Sequence, residues 1–173
     1  DRWVVRHAIH LIAEQQFADR GLFLEVNLSG RAFNDPELLP LIKQEFAATN
    51  INPATLVFEI TETATIENMV DAQHFITTLK GMGCRFGLDD FGIGFSSFSY
   101  LRQLPVDFLK IDGSFISELK HNHTDQHLVR AMVEVARGLG KQTVAEFVGC
   151  EETVQLLSKY GVDYAQGHHI GKP

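Results

Sequence analysis

Trp3, Val4, His7, Ala8, Leu11 and Ile12 recur at three- and four-residue intervals between polar positions, so the chain opens in an amphipathic helix. A short apolar run follows at 22–28, helical spacing at 38–46, and a strand-like Leu56-Val57-Phe58-Glu59-Ile60. The alternation continues with a helix expected at 69–82, strands at 85–88 and 108–111, and a helix at 127–139 with apolar positions 128, 131, 132, 135 and 139. A strand at 143–145, a helix at 152–160 and a last short strand at 163–166 complete the series. Strands alternating with helices of about 10–15 residues indicate parallel βαβ construction in the α/β class.

Two architectures build such alternation, an open doubly wound sheet and a closed (β/α)8 barrel. The strand ends separate them. Asn27 closes the first run, Glu59 sits in the second, Asp89 and Asp90 end the third, Lys110 and Asp112 the fourth, Glu146 the fifth and Gln166 the last. One or two such residues are explained as helix caps or solvated edges. Six in succession fit a barrel, which collects functional groups from every strand on one face. Six units fall two short of eight, and such a barrel usually needs about 250 residues. The expectation is a TIM-like barrel whose first strand region lies outside this chain, with residues 1–173 forming one domain.

Length and composition narrow the classes further. With 173 residues, 45% apolar and 21% charged, the chain is globular and has no low-complexity segment. The net charge of −7 supplies no basic stripe for a phosphate backbone, which argues against a DNA or RNA duplex as partner. A small phosphorylated ligand would need metal cations to offset the repulsion. Cys84 and Cys150 fit neither zinc spacing nor a disulfide framework, and no apolar run reaches the roughly 20 residues of a membrane helix. A cytoplasmic protein without a membrane segment is expected.

The densest chemistry is Gly87-Leu88-Asp89-Asp90-Phe91-Gly92-Ile93-Gly94-Phe95-Ser96-Ser97, two adjacent carboxylates followed by turn-forming glycines. With Asn27 and Glu59 it makes an all-oxygen set, suited to Mg²⁺, Mn²⁺ or Ca²⁺ rather than zinc. Two such ions about 3.5–4 Å apart can activate water and stabilise in-line displacement at phosphorus. Lys110 lies two residues before Asp112, so strand alternation points both to one face. Desolvated beside cations, Lys110 could take a proton from water; equally, it could be a lysine satisfied by neighbouring carboxylates. Barrel chemistry alone also admits Lys110 as a Schiff-base nucleophile. His121, His123 and His127 suit a surface turn ahead of a helix better than a metal site. The 13 phenylalanines fall mostly on periodic apolar positions and read as core, with Phe91, Phe95 and Phe147 near the site.

Val26-Asn27-Leu28-Ser29, Phe58-Glu59-Ile60-Thr61-Glu62, Asp89-Asp90-Phe91-Gly92, Leu104-Pro105-Val106-Asp107 leading to Lys110-Ile111-Asp112, Ala145-Glu146 and Gln166-Gly167 resemble, in this order, the EAL domain family. The resemblance implies a TIM-like barrel that hydrolyses cyclic di-GMP, a bacterial second messenger, to linear pGpG with two Mg²⁺ or Mn²⁺ ions. It implies Asn27, Glu59, Asp89, Asp90 and Glu146 as metal ligands, Lys110 assisting the nucleophilic water and Gln166 positioning it. Glu62, Asp112 and the loop carrying Phe91, Gly92, Gly94 and Ser96 would organise the site, the loop also serving homodimer contacts. Fusion to sensory or GGDEF domains is a further family expectation.

Some positions depart from the family pattern. The Glu-Ala-Leu stretch that names the family is absent from this sequence, Ile93 and Phe95 stand where Thr and Tyr are more usual, and Gly149 takes the place of a frequent second glutamate. Gly113 replaces a frequent arginine and His168 a frequent tyrosine. The absent glutamate of that stretch and Gly149 raise the alternative of a catalytically silent receptor for cyclic di-GMP, while the other departures would tune affinity and rate.

Overall fold

In the computed structural model, residues 1–94 and 98–172 are described. The elements run α1 (Arg2–Gln15), β1 (Leu24–Leu28), α2 (Leu38–Thr49), β2 (Leu56–Thr61), α3 (Glu62–Glu67), α4 (Met69–Gly81), β3 (Arg85–Phe91), α5 (Phe98–Gln103), β4 (Phe108–Ile111), α6 (Gly113–Ile116), α7 (His123–Gly138), β5 (Gln142–Ala145), α8 (Glu151–Tyr160) and β6 (Tyr164–Ala165). The six strands are hydrogen-bonded in chain order, β1-β2-β3-β4-β5-β6, in one sheet. This is the strand–helix succession expected of a TIM-like barrel lacking strands. Among the described residues no helix is long and apolar enough to cross a membrane.

The chain divides into two compact units, one of residues 1–87 with 104–106 and one of residues 88–103 with 107–173. In the first unit β1 and β2 pair in parallel, with Asn27 opposite Glu59. Every residue of β2 from Leu56 to Ile60 is buried, as a strand covered on both faces requires. Its core is aromatic: Phe58 lies 5.5 Å from Phe86, and Phe75 meets Phe33 and Phe86 edge-on at 5.9 and 6.3 Å. Alongside, Glu45 of α2 accepts hydrogen bonds from Arg6 Nε at 2.8 Å and His10 Nε2 at 3.0 Å of α1. Burial alone would raise the Glu45 carboxyl, but the hydrogen bonds and charges of Arg6 and His10 outweigh it and hold the group below the ordinary glutamate range.

The second unit is built on parallel β4–β5 and β5–β6 ladders, with Lys110 opposite Val144 and Ala145 opposite Ala165. Asp163 Oδ2 accepts from the Thr143 amide at 2.8 Å and the Thr143 hydroxyl at 3.0 Å, fixing the entry to β6. The expected start of the helix at 127 is corrected here. Asn122 accepts from the amides of Thr124 and Asp125, so α7 begins at His123 and takes in His127. His123 and His127 are therefore helical, not part of a preceding turn. The buried stripe also differs from the expected 128, 131, 132, 135 and 139: it is Val129, Val133 and Ala136, while Leu128 is exposed. Those three follow the i, i+4, i+7 rule, and the apolar residues beside them had blurred the face.

Candidate functional site

The second unit brings together three predicted residues around one side chain. Lys110 lies within β4, where all four residues are buried, and is itself only 3% exposed. Its Nζ stands 2.9 Å from Glu146 Oε1 and 3.2 Å from Asp89 Oδ1. Glu146 follows β5 directly and Asp89 lies near the end of β3, so three successive strands deliver the triad from their C-terminal ends. A buried ammonium is costly unless charge-paired, and these carboxylates compensate it. The geometry holds the lysine between two carboxylates.

Asp89 Oδ1 is buried and makes no hydrogen bond, facing the ammonium only as an ion pair. A buried anionic oxygen of this kind is a group that a hard cation satisfies, and the candidate donors are all oxygen. In type, the residues fit Mg²⁺ or Mn²⁺. Among the described residues no three His, Cys, Asp or Glu side chains converge on a ready-made cation site. Asp90 takes φ of 59°, left-handed for a non-glycine residue. The strand expected at 85–88 nevertheless extends to Phe91, carrying both aspartates within it.

Phe91 is buried at the strand end, and Gly92 follows at φ 106°. A Cβ at 92 would come 2.5 Å from Met132 Cε and 3.0 Å from Phe115 Cε2, so only glycine fits there. Gly94 lies in an exposed bend, and Ser96 falls outside the described residues, as does Phe95. Asp112 differs from expectation. Instead of sharing a strand face with Lys110, it lies past the end of β4 and caps α6, accepting from the Ser114 amide at 2.8 Å. An aspartate before a helical turn satisfies an otherwise orphaned amide, and that local bond sets its direction.

In the first unit, the β1–β2 register sets Asn27 opposite Glu59, Asn27 exposed and Glu59 buried. Glu62 is 1% exposed in the first turn of α3, where a carboxylate meets the positive end of the helix. Thr61 caps that turn by accepting from Ala64 N.

A cavity of about 240 Å³ opens beside the triad's third member, walled by Glu146, Phe147, Gly149, Gln166, Gly167 and His168. Gln166 is positioned by its amide, which donates to Ala145 O at 2.8 Å, and by its carbonyl, which accepts from Val148 N at 3.0 Å. Gly167, at φ 154°, lies so close to Val148 that an added Cβ would sit 2.9 Å from its carbonyl carbon. His169, the next histidine, turns away to Glu151, with Nε2 to Oε2 at 3.2 Å. Sequence reasoning missed the close approach at Gly167, whose only signal is the absence of a side chain.

Comparison with known proteins follows from this arrangement. The EAL domain family model matches residues 1–173. The cyclic di-GMP phosphodiesterase PdeB of Shewanella oneidensis is 37% identical over 173 residues, covering 100% of this chain and 20% of PdeB. The cyclic di-GMP phosphodiesterase PdeF of Escherichia coli is 34% identical, covering 100% of this chain and 23% of PdeF. The chain thus spans about a fifth of the length of these curated relatives. Among solved structures, the PaMucR phosphodiesterase in its c-di-GMP complex superposes with a TM-score of 0.92 at 31% identity, over 99% of this chain and 70% of that one. The Xanthomonas citri FimX EAL domain in complex with c-diGMP gives 0.93 at 30% identity, over 99% and 68%.

Proposed function

Because the chain belongs to the EAL domain family, we propose that it hydrolyses cyclic di-GMP to linear pGpG in cytoplasmic signalling, with Asn27, Glu59, Asp89, Asp90 and Glu146 holding Mg²⁺ or Mn²⁺. The observation that carries the reading is Lys110, buried between Asp89 and Glu146 at the ends of adjoining strands. Relatives named as cyclic di-GMP phosphodiesterases support it. The ions, when bound, would lend Lewis acidity to the phosphodiester and ease deprotonation of water.

The chain's own groups have distinct tasks. Lys110 Nζ, placed by Glu146 and Asp89, assists the attacking water by donating a hydrogen bond that holds and orients it. Gln166, with its backbone fixed on both sides, orients that water through its side-chain amide. Asp112 caps the turn that follows β4, and Glu62 stands buried in the first turn after β2, where it would help organise the site. Water oxygen bonds to phosphorus as the P–O3′ bond breaks, and the departing 3′ oxygen takes up a proton, leaving the phosphate on the 5′ side of pGpG. The two carboxylates paired with Lys110 also argue against a Schiff-base role, which needs a neutral amine.

The second reading is a receptor that binds cyclic di-GMP without cleaving it, favoured by Gly149 in place of a second carboxylate on the cavity wall. Incubation with cyclic di-GMP and Mn²⁺, chromatography of the nucleotides and a parallel calorimetric titration separate the two. Appearance of pGpG, stopped by EDTA, supports the phosphodiesterase; tight binding with no product supports the receptor. Homodimer formation and fusion to sensory or GGDEF domains are part of the same proposal, in keeping with the much greater length of the relatives.

A further inference from the structure

We infer that Phe147 is a positioning residue: seated on the bare backbone of Gly113, it fixes the segment that presents Glu146 to Lys110. Phe147 takes φ of 54°, in the left-handed region that a phenylalanine seldom adopts. Such strain persists where the surroundings over-determine it, and it clusters at working sites. Both neighbours are pinned. Glu146 N donates to Ile111 O at 3.3 Å, while Val148, fully buried, donates to Gln166 O at 3.0 Å and accepts from His169 N at 3.1 Å. Between these anchors the backbone at 147 has little choice.

The ring then goes where no side chain stands. A Cβ on Gly113 would lie 2.6 Å from Phe147 Cγ and 2.9 Å from its Cβ, so Phe147 fills the volume that a residue at 113 would take. Hydrophobic burial does not explain this placement, because Phe147 remains 71% exposed at the cavity rim. What the contact does is join two connections. Gly113 opens α6, immediately after the strand that carries Lys110, and Phe147 follows the strand that ends at Glu146. The Nζ to Oε1 distance of 2.9 Å is set by both connections together.

The kinetic arm of the test rests on the phosphodiesterase reading, and the exchange arm does not. Gly113→Ala, Phe147→Gly and the double variant are compared by amide hydrogen exchange at Glu146 and Val148 and by kcat and KM for cyclic di-GMP with Mn²⁺. Gly113→Ala displaces the ring, and Phe147→Gly removes it while tolerating the left-handed backbone. Each should speed exchange at the two amides about tenfold and lower kcat about tenfold with KM within about twofold. The double variant should match Phe147→Gly alone, since no ring remains to displace. Unchanged exchange at Glu146 and Val148 in Phe147→Gly, or additive effects in the double variant, would overturn the inference. A fall in melting temperature with kcat intact in the folded protein would overturn it too, leaving only a structural role. Should Gly113→Ala not fold, Phe147→Gly decides. If the unsubstituted protein yields no pGpG, the phosphodiesterase reading fails and the exchange arm still decides this one.

Discussion

Replacing Lys110 by methionine keeps a side chain of similar length and volume in β4 but removes its charge, leaving Asp89 and Glu146 without the ammonium between them. Two magnitudes compete. An exposed ion pair contributes about 0–1 kcal/mol, whereas removing one partner of a buried pair costs roughly 3–5 kcal/mol, because the remaining charge stays desolvated. The lysine side chain is 4% exposed and the carboxylates 17% and 15%, which places the triad in the buried regime with some solvent relief for the acids. We therefore expect a loss near the lower end, about 3 kcal/mol, from two buried carboxylates that lose the ammonium between them. The cavity contribution is small because methionine fills the space. For a chain of this size about 3 kcal/mol corresponds to roughly 6–12 °C in melting temperature. Urea unfolding followed by far-ultraviolet circular dichroism, with an unchanged slope against denaturant, measures it directly. A loss below about 1 kcal/mol would show that the triad behaves as a solvated surface pair, and the argument from burial would fall.

Glu45 makes a pH prediction. Its folded value lies below the ordinary glutamate range, so its contribution to stability is complete above the unfolded value and lost as pH falls through the folded one. Glu45→Gln should flatten the acid limb of a melting-temperature profile between pH 6 and 3; an unaltered limb refutes the assignment. Gly167→Ala should cost about 2–3 kcal/mol, since its Cβ would press on the Val148 backbone, which cannot yield as a side-chain tip does, and equilibrium unfolding reads this out. Burial pushes the Cys84 thiol up to about 12, so a disulfide reagent at pH 8 should modify Cys150 in the native protein and Cys84 only after unfolding. Immediate reaction of both would contradict the burial of Cys84.

The periodic apolar pattern made most elements legible, because long helices and fully buried strands impose their period on many residues at once. The short helices escaped it. α3, α5 and α6 span six residues or fewer, too few for a period to register, and they are set by caps such as Thr61 and Asp112. The face of α7 was misread because apolar residues stand on both sides of its buried stripe, and only packing chooses between them. In the site, Asp89, Lys110 and Glu146 were legible as polar residues where buried strands end. Asp112 was not, because a capping bond two residues away outweighed strand alternation. The seat of Phe147 on Gly113 leaves no trace in residue type, since what matters there is a missing side chain.

The parallel pairing also governs how the chain reaches its shape. Leu24 meets Leu56 and Phe108 meets Gln142 across neighbouring strands, so about thirty residues must be looped back before either ladder closes. No tight turn can zip these strands from one end, as it does in a hairpin. The intervening helices must form and dock first, which makes every rung a late, non-local event and slows folding relative to a helical bundle of equal length. In that light the lysine in the middle of β4 has a second aspect. Until β5 closes alongside, Lys110 is a charge on a strand that lacks the Glu146 carboxylate, and the ladder that buries it is also the step that makes its burial tolerable.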